Sequence, residues 1–322
     1  MTDKASMREE GKGRVLVSIG SMDPEIWLRS IGSRREAVLR LDDPADPTIH
    51  YALVWKQPVG ILSSLPNLKA IFSVGAGVDH IFADRELPDV PIVRVVADNL
   101  TQHMTEYVVW RVMDHHRQGI LYRTNQSRAT WCGLQQPPAS DITVGFMGLG
   151  NLAGAAARAL MALGFNINGW TRRPRRMEGV NCFHGPDGLP AFLAATDMLV
   201  VLLPLTPDTE GVINHDLLRQ LRHDNALGGA VLINAGRGRL QKDADILRAL
   251  EDGTLKEASL DVFEEEPLPA SSPLWSHPRI VITPHAAANS NPEHLMPGML
   301  AQMDACDRGE PLLNLVDRKA GY

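Results

Sequence analysis

Cysteine is scarce: the 322 residues hold three, Cys132, Cys182 and Cys306. They are far apart, odd in number and form no CxxC pair, which excludes a disulfide framework and a thiolate metal site. Reduced thiols in a cytoplasmic protein are the expectation. Long apolar runs are also missing. None approaches the ~18–20 residues that a membrane span requires, so no membrane association is expected. Positive charge has no surplus: 32 Lys and Arg against 38 Asp and Glu leave a net charge of −6, and no nucleic-acid partner is expected. The segment Met1 to Gly13 is charged and lacks an apolar stretch. It reads as a frayed tail rather than a signal peptide. There is no internal repeat and no low-complexity segment.

What remains has the balance of a soluble globular protein, 44% hydrophobic and 22% charged, and the length of two ordinary domains. Short apolar runs at 14–19, 51–55, 68–73 and 92–96 read as buried strands with helical segments between them, the pattern of a parallel sheet. A second series of six runs follows at 142–147, 166–170, 198–203, 230–234, 258–262 and 280–283. The expected fold class is α/β with two doubly wound parallel-sheet domains, a flavodoxin-like substrate domain and a Rossmann cofactor domain, and a cleft between them. A helix is expected over about 104–123 and a linker over 132–141, which carries Pro137-Pro138. Fewer than forty residues follow Thr283, too few for a domain. They are expected to return to the first half. The expected division is residues 1–103 with 286–322 for substrate and 104–285 for NAD(P).

Gly148-Leu149-Gly150-Asn151-Leu152-Ala153-Gly154 follows a strand and opens a helix that Gly164 ends. Gly148 permits a tight turn, Gly150 lets the backbone approach a pyrophosphate, and the small Ala153 lets the helix pack on the strand. Uncapped N–H groups near Asn151 and Leu152 and the helix dipole favour phosphate. An acid should end the next strand if the cofactor is NAD, to hold the ribose hydroxyls. Trp170-Thr171-Arg172-Arg173-Pro174-Arg175-Arg176 stands there instead. Arginines pair with a 2′-phosphate, so NADPH is expected over NADH, with Thr171, Arg172 and Arg173 as its contacts and Arg175 and Arg176 as solvated charge.

Three further segments each put one reactive residue just after a strand: Arg237 in Asn234-Ala235-Gly236-Arg237-Gly238, Glu266 downstream of Asp261-Val262-Phe263, and His285 in Thr283-Pro284-His285. Strand C-termini converge at the ligand edge of an α/β sheet. Reduction of a 2-oxo acid needs a cation to clamp the carboxylate and polarise the carbonyl, which suits Arg237. It needs a proton donor, which suits His285, and a carboxylate that orients that donor and favours its protonated form, which suits Glu266.

With these motifs the chain resembles the D-isomer-specific 2-hydroxyacid dehydrogenases, and most of all the branch containing glyoxylate/hydroxypyruvate reductase A. The likeness runs through Tyr51–Trp55, Gly75-Ala76-Gly77-Val78-Asp79, Met104-Thr105-Glu106-Tyr107, the glycine loop, Leu203–Pro207 with Thr209, the three segments above and Val316–Tyr322. The resemblance implies the same Arg237/Glu266/His285 triad, with Arg237 and His285 also touching substrate and cofactor. It implies that backbone N–H groups of Ala76, Gly77 and Val78 take the substrate carboxylate, that Trp55 walls the pocket, and that Asp261 holds the nicotinamide carboxamide. Leu203, Pro204, Thr209, Ala235 and Gly236 would border the nucleotide. A homodimer through the cofactor halves is implied too, with Trp131 reaching the neighbour's site. The expected reaction is NADPH-dependent reduction of glyoxylate or hydroxypyruvate. A phosphoglycerate- or lactate-type dehydrogenase and a dinucleotide-sensing protein are the alternatives. His115, His116, His215 and His223 are expected at the surface.

Overall fold

The computed structural model describes residues 12–20, 22–39 and 41–322, so all but the end of the Met1–Gly13 segment lies outside the described residues. The chain divides into two units. The first runs to Ala97 and resumes over Ser290–Tyr322; the second is Asp98–Asn289.

The first unit holds β1 (Arg14–Ser18), α1 (Pro24–Ile31), β2 (Ala37–Val38), β3 (Ile49–Val54), β4 (Ala70–Ser73), α2 (Asp79–Phe82) and β5 (Ile92–Val93). Its five strands are parallel, in the order β2-β1-β3-β4-β5. β3 and β4 are almost wholly buried, as sheets covered on both faces require. β2, only two residues long, has no pattern that a sequence reading detects. The returning C-terminal segment forms the last helix, Pro292–Asp307, which packs on α1. It is tied down by charge. The buried Arg35 guanidinium donates to Asp304 and to Asp307, both at 2.7 Å. Asp307 also accepts from Tyr51 Oη at 2.6 Å and Lys69 Nζ at 2.8 Å.

The second unit holds α3 (Asp98–His116), α4 (Gly119–Ser127), β6 (Thr143–Met147), α5 (Asn151–Ala162), β7 (Asn166–Thr171), β8 (Val180–His184), α6 (Gly185–Ala194), β9 (Met198–Val201), α7 (His215–Leu218), β10 (Val231–Asn234), α8 (Asp243–Glu251), β11 (Glu257–Leu260) and β12 (Ile280–Ile282). Its seven strands are parallel, in the order β12-β11-β10-β9-β6-β7-β8. The order reverses between β6 and β9, the switch point where such sheets bind ligands. One strand more than expected is present, the half-exposed edge strand β8. The division between units precedes α3 rather than cutting it near 103. Met104, Tyr107, Val108 and Val112 of that helix share one core with Val144, Phe146 and the buried face of α5, so α3 belongs whole to this unit. The single helix expected over 104–123 is two, parted at Gln118, whose φ of 57° is left-handed.

The histidines need correction. His223 is exposed, but His115, His116 and His215 are buried. His115 Nδ1 sits 2.7 Å from Glu257 Oε2 and its Nε2 2.8 Å from Ser259 Oγ. His215 Nε2 sits 2.7 Å from Asp252 Oδ2. His116 packs edge-on to Phe165. Polar partners remote in sequence offset the burial of His115 and His215, whereas the buried His116 Nδ1 has no hydrogen-bond partner. No described helix is long and apolar enough to cross a membrane. The described residues hold no cluster of three metal-ligating side chains, and all three cysteines are unpaired.

Candidate active site

The phosphate turn leaves β6 at the switch point. Gly148 has φ +93°, and a Cβ there would lie 2.9 Å from the Leu202 carbonyl oxygen, so glycine is required. Its N–H donates to the Trp170 carbonyl at 3.0 Å, which fixes the turn beside the end of β7. Gly150 is the N-cap of α5, and no side chain caps that helix. A Cβ built on Gly150 meets nothing within 4 Å. The turn therefore presents open backbone at the positive end of a 12-residue helix, and these residues fit a dinucleotide pyrophosphate. Asn151 and Leu152 begin that helix, and Ala153 is buried in the core beneath it.

Beyond Trp170, Thr171 Oγ1 donates to the Arg173 carbonyl at 2.7 Å and curls the chain at the end of β7. Arg172, Arg173, Arg175 and Arg176 are all exposed, and no acid stands among them. After β9, Leu203 is buried, and Thr209 Oγ1 donates to the Pro204 carbonyl at 2.8 Å while accepting from the Thr206 N–H at 2.8 Å. Thr209 thus closes the 204–209 turn.

After β10 the chain is held by Asn234, which sequence reasoning did not single out. Its side chain accepts from the Gly236 N–H at 3.0 Å and donates to the Arg237 carbonyl at 3.2 Å and to Gln241 Oε1 at 2.8 Å. Ala235 and Gly236 are buried, and Arg237 Nη1 donates to the Gly236 carbonyl at 2.8 Å. A Cβ on Gly238 would fall 1.7 Å from the Phe263 carbonyl oxygen. Only glycine lets the Arg237 loop press against the Phe263 backbone. Phe263 N–H in turn donates to Glu266 Oε1 at 3.2 Å. Glu266 Oε2 meets His285 Nδ1 at 2.9 Å. Packing and hydrogen bonds thereby link all three expected residues. With Nδ1 facing the Glu266 carboxylate, Nε2 is the other polar position of the ring.

Asp261 is buried, and its carboxylate accepts from Thr283 Oγ1 at 2.6 Å, Ala286 N–H at 2.9 Å and Ala287 N–H at 3.0 Å. It braces the His285 turn. Tyr107 extends this network from α3, its Oη 2.9 Å from Thr283 Oγ1. Burial raises the Tyr107 phenol well above its ordinary value, so it stays protonated. Its position within an apolar helical face gave no sign of this role.

Trp55, Ala76, Gly77 and Val78 lie in the first unit and Trp131 in the second. Trp55 follows β3, and its ring centroid stands 4.5 Å from that of His80. A Cβ on Gly75 would come within 2.4 Å of Trp55 Cζ3. Ala76 and Gly77 are half-buried and Val78 is buried, in the turn that joins β4 to α2. Trp131 is wholly exposed in the stretch after α4.

Residues 109–287 match the NAD binding domain of the D-isomer specific 2-hydroxyacid dehydrogenases. Glyoxylate/hydroxypyruvate reductase A of Yersinia enterocolitica is 39% identical over 285 residues, 87% of this chain and 88% of that protein. The Escherichia fergusonii protein of the same name is 40% identical over 286 residues, again 87% and 88%. Among solved structures, an NADPH-dependent glyoxylate/hydroxypyruvate reductase from Sinorhizobium meliloti, in complex with NADP and sulfate, superposes with a TM-score of 0.91 at 42% identity, over 97% of this chain and 100% of that one. A probable 2-hydroxyacid dehydrogenase from Rhizobium etli, in complex with NADP, HEPES and L(+)-tartaric acid, gives 0.90 at 44%, over the same shares. The chain belongs to the D-isomer-specific 2-hydroxyacid dehydrogenases, a family of NAD(P)-dependent oxidoreductases, on the glyoxylate/hydroxypyruvate reductase A branch.

Proposed function

We propose that the protein reduces small 2-oxo acids, glyoxylate and hydroxypyruvate, to 2-hydroxy acids with NADPH. The observation that carries this reading is the His285–Glu266 pair at 2.9 Å, on the same sheet as an open phosphate turn and an arginine-bearing β7 end. The second unit is the cofactor domain. Gly148, Gly150, Asn151 and Leu152 hold the pyrophosphate. Thr171, Arg172 and Arg173 hold the 2′-phosphate. Leu203, Pro204, Thr209, Ala235, Gly236 and Asp261 border the rest. A nicotinamide coenzyme bound there supplies the hydride.

The chain's own residues do the remainder. Arg237 draws electron density onto the carbonyl oxygen and pairs with the substrate carboxylate. His285 delivers its Nε2 proton to the oxygen as the alcohol forms. Glu266 holds the ring by Nδ1 and balances the imidazolium charge. The first unit is the substrate domain, where N–H groups of Ala76, Gly77 and Val78 take the carboxylate beside Trp55. Two copies associate through their cofactor domains. The wholly exposed Trp131, an aromatic in open solvent, supports a role for that stretch in the partner's site. The unpaired cysteines are in keeping with a cytoplasmic protein.

Steady-state oxidation of NADPH with glyoxylate, hydroxypyruvate, pyruvate and phosphohydroxypyruvate tests the reading. The first two should turn over best. Preference for the phosphorylated acid or for pyruvate would move the protein to another substrate class. NADPH binding without turnover would make it a sensor.

A further inference from the structure

The Gly75–Val78 turn is shaped by two side chains that no role above uses, Ser73 and His80. Ser73 ends β4 and is fully buried. Its hydroxyl lies 2.9 Å from the Gly75 carbonyl and 3.1 Å from the Gly77 carbonyl, accepts from the Gly75 N–H at 3.3 Å, and stands 3.2 Å from His80 Nε2. A hydroxyl has one proton and two lone pairs. Which of these contacts it satisfies depends on where the His80 ring carries its proton.

The other side of the ring decides that. The Lys56 N–H, just beyond β3, donates to His80 Nδ1 at 3.2 Å. Lys56 itself has φ 48°, a left-handed conformation that a lysine rarely adopts. Gln57 Oε1 is 3.4 Å from the same nitrogen while the buried Gln57 Nε2 has no hydrogen-bond partner; with that amide turned over, Nε2 donates to Nδ1 as the Lys56 N–H does, and Trp55 lies across the ring. An Nδ1 that accepts bears no proton, so Nε2 bears it and donates to Ser73 Oγ. Both Ser73 lone pairs are then filled, by His80 and by the Gly75 N–H. Its single proton is left for the carbonyls of Gly75 and Gly77. The opposite tautomer would make Ser73 donate to the ring and release both carbonyls.

This matters because a trans peptide points its C=O and its following N–H in opposite directions. Drawing the Gly75 and Gly77 carbonyls toward Ser73 turns the N–H groups of Ala76 and Val78 away from it. We infer that the Lys56–His80–Ser73 chain is a positioning device that aims the Ala76 and Val78 N–H groups at the substrate carboxylate. The inference rests on the proposed reductase function for the carboxylate but assigns residues that function does not name. His80 and Ser73 touch neither substrate nor cofactor; they act through the turn.

The test compares wild type with Ser73→Ala, His80→Leu and His80→Gln. Glutamine can both accept from Lys56 and donate to Ser73. Two readouts are taken on the NADPH-loaded protein: the KM for glyoxylate, and the calorimetric Kd for oxalate, a carboxylate probe that needs no turnover. Loss of one aimed hydrogen bond should weaken both by about tenfold in Ser73→Ala and His80→Leu. The KM for NADPH should not move, kcat should fall less than KM rises, and His80→Gln should restore most of the loss. A merely structural role would lower the melting temperature without this split or this rescue. Unchanged glyoxylate KM and oxalate Kd in folded Ser73→Ala and His80→Leu would overturn the inference while leaving the reductase reading intact. So would a folded His80→Gln as poor as His80→Leu. A wild type that binds oxalate without turnover would sink the reductase reading alone, and the oxalate Kd values would still decide the inference. A wild type that neither turns over nor binds oxalate would overturn both.

Discussion

The backbone N–H of His285 donates to the Asp261 carbonyl at 2.7 Å, and it does so from a left-handed conformation, φ 52°. For a residue with a Cβ that conformation costs on the order of 1 kcal/mol. The cost is offset locally, because the Asp261 carboxylate gathers Thr283, Ala286 and Ala287 on either side of the histidine. A buried acid that looks like a cofactor ligand in sequence is therefore the brace of the His285 turn.

Asp261→Asn should expose this brace. One acceptor oxygen becomes an amino group facing N–H and O–H donors. Hydrogen bonds to a charged group are worth about 1.5–3 kcal/mol, and a destabilisation of that order is expected. Denaturant melts of the variant would measure it. A midpoint equal to wild type would mean that the turn holds itself.

His285→Ala and Arg237→Ala should each lower kcat for 2-oxo acid reduction by about 10²–10⁴-fold, the range of a lost general acid. NADPH binding, followed by fluorescence titration, should stay close to wild type, since the phosphate turn and the β7 end are untouched. Wild-type turnover in His285→Ala would remove it as proton donor.

Glu266→Gln keeps a group that can accept from His285 Nδ1 and removes the charge. The ring keeps its orientation but loses the anion that faces it. The kcat for 2-oxo acid reduction should fall by about tenfold or more, roughly 1.4 kcal/mol of transition-state stabilisation, with NADPH binding close to wild type. A wild-type kcat in the variant would assign Glu266 to orientation alone.

The places of Arg237, His285 and the glycine turn just beyond strands were legible in sequence because short apolar runs precede them, fully buried in Val231–Asn234 before Arg237 and half-buried in Ile280–Ile282 before His285. The fold class followed from the same runs. The edge strand β8 escaped because its residues are half-exposed and carry neither an apolar run nor strict alternation. Asn234, Gln241 and Tyr107 escaped for another reason: a side chain that braces a loop is recognised by its partners, and those partners are remote or backbone. The buried His115 is the same case, since Glu257 and Ser259 lie more than a hundred residues away. Periodicity cannot distinguish a polar residue that finds such a partner from one that meets water.

Asp307 makes a prediction for acid. Burial alone would raise its carboxyl, but hydrogen bonds from Lys69, Tyr51 and Arg35 outweigh this and hold it at about 2, below the ordinary 3.8. A depressed carboxylate contributes stability that is present above the unfolded value and is lost as pH falls through the folded one. The first unit should lose stability between those two values. Asp307→Asn should be less stable than wild type at neutral pH, and the gap should narrow across that window. Urea midpoints measured along a pH series would check it; a gap that stayed constant into acid would show the ion cluster to be of no consequence.

The cofactor preference follows from what stands after Trp170. An acid there would take the ribose hydroxyls and repel a 2′-phosphate; Thr171, Arg172 and Arg173 stand there instead. Guanidinium groups pair with phosphate, and NADH offers them nothing equivalent. NADPH should exceed NADH in kcat/KM by at least tenfold, about 1.4 kcal/mol. Because both arginines are exposed, the attraction is open to screening, and added salt should narrow the ratio. Arg172→Ala with Arg173→Ala should erase the preference mainly through the NADPH KM, since the phosphate is far from the carbon that receives the hydride. The NADH parameters should hardly change in that double variant, which separates lost phosphate recognition from a damaged β7 end. Equal efficiency of the two coenzymes in the wild type would return the arginines to solvated surface charge and leave the ribose without a recognised partner on this strand.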